Sequence, residues 1–329
     1  MNYIGSKLSL MDFLTESIGQ VCKTEGGVFA DLFAGTGIVG ATFRQKGYEV
    51  LSNDIQYYSY VLNKHYIENT ETVDASLIDE LNALNGIESF VYRNYCNGSG
   101  SQRNYFTDEN GKKCDAIRTE IDTLYQNGKI TENQRFSLLA SLINSIDKYA
   151  NTASVYGAFL KHIKKTAAKP FVLEALPVID GKPGQVYNEN INTLITKVKG
   201  DILYLDPPYN ARQYCSNYHV LETIARYDHP TVYGKTGLRD TRSQRSQYCS
   251  AKSVGKAMDE LLANADFKYI FISYNNEGLL SLDDMRELMQ KYGTYQLFST
   301  DYHRFKADKE EKRNHKAAAT VEYLHCITK

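Results

Sequence analysis

The sequence predicts an α/β chain: a doubly wound, Rossmann-like parallel sheet interrupted by a mostly helical insert. Three observations predict it. Over the first 67 residues strand and helix patterns alternate in βαβα order, the arrangement that builds a parallel sheet with helices on its faces. From about 70 to 170 the pattern turns helical. Strand patterns then resume at 184 and recur to the C-terminal segment.

Taken in order, Leu8 to Cys22 carries a helical apolar period. GGVFADLFAG (26–35) is a β-type run that ends in glycine, and Ile38 to Gln45 reads as a short helix closed by Gly47. YEVLSND (48–54) is a second strand ending in an acid, and Tyr57 to Tyr66 is again helical. Within 70–170, Thr72–Leu84 and Thr131–Ala150 are the clearest helices, separated by polar stretches such as NGSGSQRN (97–104). GQVYNEN (184–190), DILYLD (201–206), FKYIFISY (267–274), TYQLFSTDY (294–302) and TVEYLHCIT (320–328) read as strands, with a helix near Leu282–Lys291. KADKEEKRNHK (306–316) reads as a charged hairpin loop. The expected division is one sheet domain from 1–69 and 171–329, with 70–170 inserted into it.

Composition bounds the function. At 329 residues, 42% hydrophobic and 23% charged, the chain can bury a large core. A net charge of −1 means that any nucleic-acid contact must come from a local basic patch. The six cysteines are scattered without a CxxC pair, which argues against a zinc site or a disulfide framework and fits the cytoplasm. No apolar run reaches membrane-spanning length, and the seven histidines lack metal-ligand spacing. Tyrosine is abundant, with 26 copies and no tryptophan; its flat ring with a polar tip suits stacking on bases, and any other interface equally well.

DLFAGTGIVG (31–40) lies between a strand and a helix and holds Gly35, Gly37 and Gly40 in G-x-G-x-x-G spacing. Such glycines let the backbone approach a ligand at a helix N-terminus. Two ligands compete for it. A nicotinamide dinucleotide would place its pyrophosphate there and its ribose on Asp54. Asp31, four residues before the first glycine, disfavours a pyrophosphate and suits the amino group and sulfonium of S-adenosylmethionine. Asp54 serves the ribose in either case. The plain alternative is a strand–helix turn with Asp54 as a helix cap.

DPPY (206–209) ends the DILYLD strand. The prolines fix their own φ, and each pushes the residue before it out of the helical region. Asp206 and the Pro207 carbonyl are thereby held as two acceptors. An exocyclic amine whose hydrogens bond to both would be turned more tetrahedral, its lone pair aimed at a sulfonium methyl. Pro208 stiffens the turn and Tyr209 would stack on the base. A base within a duplex must be flipped out to reach such a site. The plain alternative is a rigid turn.

In this order the motifs resemble the DNA adenine-N6 methyltransferases, in particular the FokI-type modification methyltransferases of restriction–modification systems. NYIGSK (2–7), DLFAGTG (31–37), SNDI (52–55), DPPYNARQYCSNYHVLETIARYD (206–228) and ISYNNEG (272–278) carry the resemblance. It implies an S-adenosylmethionine-dependent methyltransferase sheet with a target-recognition insert. It also implies a site-specific enzyme acting on adenine N6 in duplex DNA, with a cognate restriction endonuclease as its counterpart. Carried over, Tyr3 and Lys7 line the methionine end of the cofactor. Asp31, Ala34, Gly35 and Gly37 hold its amino acid and backbone, Asp54 and Ile55 its ribose, and Asp206 closes the site. For the cofactor adenine YNENIN (187–192) offers Asn190, followed by the apolar Ile191, or else Glu189. Cytosine N4, RNA adenine and protein glutamine are the alternative acceptors for the same chemistry.

YGKTGLRDTRSQRSQYCSAKSVGK (233–256) holds Lys235, Arg239, Arg242, Arg245, Lys252 and Lys256 against the single acid Asp240. Directly after a catalytic loop it reads as a phosphate and base-edge surface, led by Lys235, Arg239, Arg242 and Arg245. The plain alternative is a solvated face. KHIKKTAAK (161–169) is a second basic stretch open to both readings.

Overall fold

The computed structural model describes residues 3–23, 26–302 and 320–329; the charged stretch at 306–316 lies outside them. The opening consists of α1 (Met11–Val21), β1 (Val28–Asp31), α2 (Ile38–Gln45), β2 (Glu49–Asn53) and α3 (Tyr57–Asn63). The insert carries α4 (Ala75–Ala83), α5 (Phe90–Tyr95), α6 (Asp108–Gln126) and α7 (Glu132–Lys148). The chain then returns through β3 (Gln185–Tyr187), α8 (Ile191–Leu194) and β4 (Lys199–Leu205). Helices α9 (Tyr214–Asn217), α10 (His219–Arg226) and α11 (Val254–Asn264) follow, then β5 (Asp266–Asn275), α12 (Leu282–Gln290), β6 (Thr294–Tyr302) and β7 (Thr320–Thr328).

The seven strands form one sheet in the order β3-β2-β1-β4-β5-β7-β6. The first five are parallel to their neighbours, and β7 is antiparallel to both β5 and β6. The parallel strands alternate between two cores, because successive side chains point to opposite faces. Phe29, Val50, Ile202, Tyr204 and Phe271 pack on α1 and α2 through Leu14, Ile18, Val39 and Phe43. Ala30, Leu51, Leu203, Leu205 and Ile272 pack on α11 and α12 through Met258, Leu261, Met285 and Met289. With both faces covered, the strands read in sequence as short apolar runs.

The insert shares a third core with α3 and α10, in which Tyr58, Val61, Ile117, Ile143, Leu221 and Ile224 are buried together. Thr107 caps α6, and Thr131 with Gln134 forms a capping box on α7. Buried Arg118 on α6 donates to the Ile224 and Ala225 carbonyls near the end of α10, at 2.9 and 3.2 Å, where a cation also complements the helix dipole. The insert therefore braces the helix that follows DPPY.

Two elements differ from the sequence reading. The helix from Tyr57 ends at Asn63 and continues as a π turn over Lys64–Glu68. At that change Asn63 turns its amide to the Gly35 carbonyl, 3.2 Å away. Between DPPY and the basic stretch, where the sequence reading assigned no element, lies α10, whose apolar residues Val220, Leu221, Ile224 and Ala225 are buried.

Candidate active site at the sheet switch point

Strand order reverses between β1 and β4, so the connections diverge and leave a crevice at the carboxyl ends of these strands. Asp31, the last residue of β1, is in register with Ser52 on β2 and Tyr204 on β4. Asp54 and Asp206 each follow two residues beyond those partners. The register alone thus brings three carboxylates from distant parts of the chain to one rim.

A single cavity opens there. The N-terminal strap supplies Tyr3 and Lys7, and the glycine loop supplies Asp31, Ala34 and Gly35. Asp54 and Ile55 come from the end of β2, Asn190 and Glu189 from the end of β3, and Asp206 and Pro208 from the end of β4. Gly37, Pro207 and Tyr209 are not part of the lining. Gly37 starts α2 with φ +80°, where a side chain would be strained and would meet Asn63 Oδ1 at 2.8 Å. Pro207 is buried. Tyr209 packs against Tyr274, ring centroids 6.4 Å apart at 80°, and its carbonyl accepts from the Leu279 N–H at 2.9 Å.

The glycine loop is pinned by acceptors from β2. Asp54 accepts from the Gly35 N–H at 2.9 Å and the Gln56 N–H at 2.8 Å. Burial nevertheless pushes its carboxyl up to about 6 against those two hydrogen bonds. Buried Asn53 ties three strand ends together. Its amide donates to the Leu32 and Glu189 carbonyls, both at 3.2 Å, and its oxygen accepts from the Glu189 N–H at 3.0 Å. Asn190 caps α8 by accepting from the Asn192 N–H at 2.9 Å, while Glu189 pairs with Lys197 at 2.5 Å.

Asp31 is buried, and among the described residues neither of its carboxylate oxygens has a hydrogen-bond partner. Burial, and then the charge of Asp206, raise its pKa well above the usual carboxylate range. Such an uncompensated acid at a glycine loop repels a pyrophosphate and fits a cationic ligand. This disfavours the dinucleotide reading and fits the amino group of S-adenosylmethionine.

Lys7 is buried beside two carboxylates: its Nζ lies 3.1 Å from Asp206 Oδ1 and 3.6 Å from Glu322 Oε2. Burial alone would lower the ammonium; Asp206 and Glu322 outweigh it and hold it above the ordinary lysine range. Asp206 is pushed up to about 6 by burial, with Lys7 opposing and Glu322 adding to the rise. Glu322 escaped the sequence reading. It sits on β7 opposite Asn275, the end of β5, and its only sequence signal is an acid inside the apolar run TVEYLHCIT.

Most of the wall facing the glycine loop was also missed. Gln244, Ser246, Gln247 and Tyr248 line the cavity, together with Arg245, which the sequence reading had placed on the basic surface. Gln244 donates to the Ile55 carbonyl at 3.2 Å and to Glu222 at 2.6 Å. Tyr248 donates to Asn192 at 2.8 Å and meets Phe33 edge-on, 4.9 Å between centroids. The basic stretch is therefore partly cavity wall. Arg239 departs from its expected exposure: it is buried and grips Asp228 through both terminal nitrogens, at 2.9 and 2.6 Å. Lys235, Arg242 and Arg245 are exposed, although Arg242 pairs with Asp240 at 2.5 Å. Lys235 rides on a tight turn closed by reciprocal Tyr233–Leu238 backbone bonds of 2.8 and 2.9 Å. Arg103 and Tyr95 of the insert hold that turn through the Gly234 and Gly237 carbonyls.

Residues 3–288 match the family described as D12 class N6 adenine-specific DNA methyltransferase. The chain is 52% identical over 334 residues to the type II methyltransferase M.NlaIII of Neisseria lactamica, covering 100% of this chain and 99% of that one. It is 40% identical over 345 residues to M.FokI of Planomicrobium okeanokoites, covering all of this chain and 53% of the relative. Similarity to M.CviAII of Paramecium bursaria Chlorella virus 1 is 36% over 314 residues and covers 93% of each chain.

Proposed function

This chain belongs to the D12 class N6 adenine-specific DNA methyltransferases, and we propose that the cavity between Asp31 and Asp206 is its methyl-transfer site. The observation that carries this reading is the pair of carboxylates at one rim. Asp31 is unpaired and faces the glycine loop, and Asp206 is paired with Lys7 at the head of DPPY. S-adenosylmethionine, when bound, supplies the electrophilic methyl group. Asp31 and the glycine loop hold its amino-acid end, Asp54 its ribose, and Asn190 or Glu189 its adenine.

Asp206 and the Pro207 carbonyl accept hydrogen bonds from the N6 amine of the target adenine and aim its lone pair at the methyl group. This is catalysis by positioning and fixed electrostatics. The adenine enters flipped from the duplex, at a cost of a few kcal/mol. Stacking on Tyr209 returns about 1–3 kcal/mol, so cationic contacts to phosphates supply the affinity. Lys235, Arg242 and Arg245 are the exposed cations placed for that role, and Arg239 supports their loop. The insert, 70–170, reads the target sequence. The cell's own DNA, methylated in the cytoplasm, is thereby protected from a cognate restriction endonuclease. Among the described residues no helix is long and apolar enough to cross a membrane.

The test is mass spectrometry of nucleosides from unmethylated plasmid incubated with the protein and isotopically labelled S-adenosylmethionine. Labelled N6-methyladenine is expected. Label in cytosine N4, or in neither base, overturns the reading.

A further inference from the structure

Asp206 Oδ1 is engaged by Lys7 at 3.1 Å, while the Asp206 side chain also lines the cavity. Lys7 is itself held from a second side by Glu322, whose other oxygen faces the Asn275 amide at 3.5 Å. All three charged groups are largely buried, with side-chain exposures of 5% for Lys7, 19% for Asp206 and 8% for Glu322. One ammonium between two carboxylates leaves a surplus negative charge, and burying such a charge costs stability. A pair serving the fold alone would need only one acid.

We propose that Glu322 is a positioning residue for methyl transfer: it draws Lys7 to one side of Asp206 and keeps the second oxygen of Asp206 open to the substrate amine. This rests on the reading of Asp206 as the amine acceptor. Without the pull of Glu322, the lysine would be free to swing across and occupy both oxygens of Asp206. The groups that face Asp206 from the elements around it are Lys7 on the strap, Asp31 on β1, Tyr204 on β4, Tyr214 on α9 and Glu322 on β7. Of these, Glu322 alone combines a charge opposing that of Lys7 with direct contact to it.

The experiment compares Glu322→Gln with Glu322→Asp and Asp206→Asn. In Glu322→Gln, kcat is expected to fall about 10- to 100-fold while KM for S-adenosylmethionine stays within a few-fold. The acid limb of kcat moves to lower pH, because the acid opposing ionisation of Asp206 is gone. Glu322→Asp keeps the charge and restores the limb. A second readout needs no turnover: the carboxyl 13C titration of Asp206 in the free protein, assigned by its loss in Asp206→Asn, shifts to lower pH in Glu322→Gln. Unchanged kcat, limb and titration, with only a lower Tm, overturns the role of Glu322 while leaving that of Asp206 intact. Near-normal activity in Asp206→Asn overturns the reading beneath it instead.

Discussion

Lys7 Nζ and Asp206 Oδ1 lie 3.1 Å apart, although one belongs to the N-terminal strap and the other follows β4. The strap is held by Tyr214 of α9 and by Tyr218, which lies between α9 and α10. Its Tyr3 ring stacks on Tyr218, centroids 4.7 Å apart, and the Ile4 N–H donates to the Tyr218 hydroxyl at 2.8 Å. The Tyr214 hydroxyl donates to the Ile4 carbonyl at 3.3 Å. Those helices lie just beyond DPPY, so the segment that carries Asp206 also carries the clamp for its counter-ion. The abundance of tyrosine, uninformative in composition, acquires this local meaning.

Replacing Asp206 by Ala removes one amine acceptor and frees the Lys7 ammonium inside the site. Methylation is expected to fall by at least about 100-fold. S-adenosylmethionine affinity, measured by calorimetry, stays within a few-fold, because Asp31 and the glycine loop remain. Near-normal methylation in this variant removes Asp206 from the mechanism.

Activity and stability should respond to acid in opposite directions. Asp206 and Asp54 are each pushed up to about 6, with burial the larger cause. An acid whose folded value lies above its unfolded one favours folding at low pH, and that contribution is lost as pH rises through the folded value. Asp206, by contrast, must be ionised to accept the amine. Between about pH 8 and pH 5.5, kcat/KM, which reports the free enzyme, should therefore drop with an acid limb near 6 while the Tm of the free protein holds or rises. A Tm that falls in step with kcat/KM would show that these acids are not held at raised values.

The strand ends and the glycine loop were legible because their signals are local: an apolar run, then an acid or a glycine. Asp31, Asp54 and Asp206 each stand at such an end, and parallel register then places them on one rim. Glu322 was not legible, because its place depends on β7 running antiparallel beside β5, a long-range pairing with no local mark. Gln244 and Tyr248 were hidden for another reason. They sit among arginines and lysines, and charge pattern suggested an outer surface where the chain folds back as cavity wall. Arg239 misled in the same way, since its partner Asp228 lies outside the basic run.

Asp31→Asn should stabilise the free protein and weaken cofactor binding together. The carboxyl is buried, and burial and Asp206 hold its pKa well above the usual range, so a neutral amide there removes the desolvation cost of ionising it above that raised pKa. Tm should rise by about 2 °C or more. A charge-assisted hydrogen bond to the cofactor's amino group is worth about 1.5–3 kcal/mol, so affinity for S-adenosylmethionine should fall roughly 10- to 100-fold. A stabilised variant with unchanged affinity would leave Asp31 without a ligand.

The basic stretch separates into two roles that salt titration can tell apart. Neutralising Lys235, Arg242 and Arg245 together as Gln should weaken duplex binding and flatten the slope of log K against log salt. Each lost phosphate contact lowers that slope by about 0.9, so a reduction of roughly 2 to 3 is expected. Arg239→Gln should leave the slope unchanged and lower Tm, because its charge is committed to Asp228 rather than to solvent. If Arg239→Gln flattens the slope while the triple variant does not, the exposed cations are only a solvated face, and the DNA path runs over the Asp228 side of the loop instead.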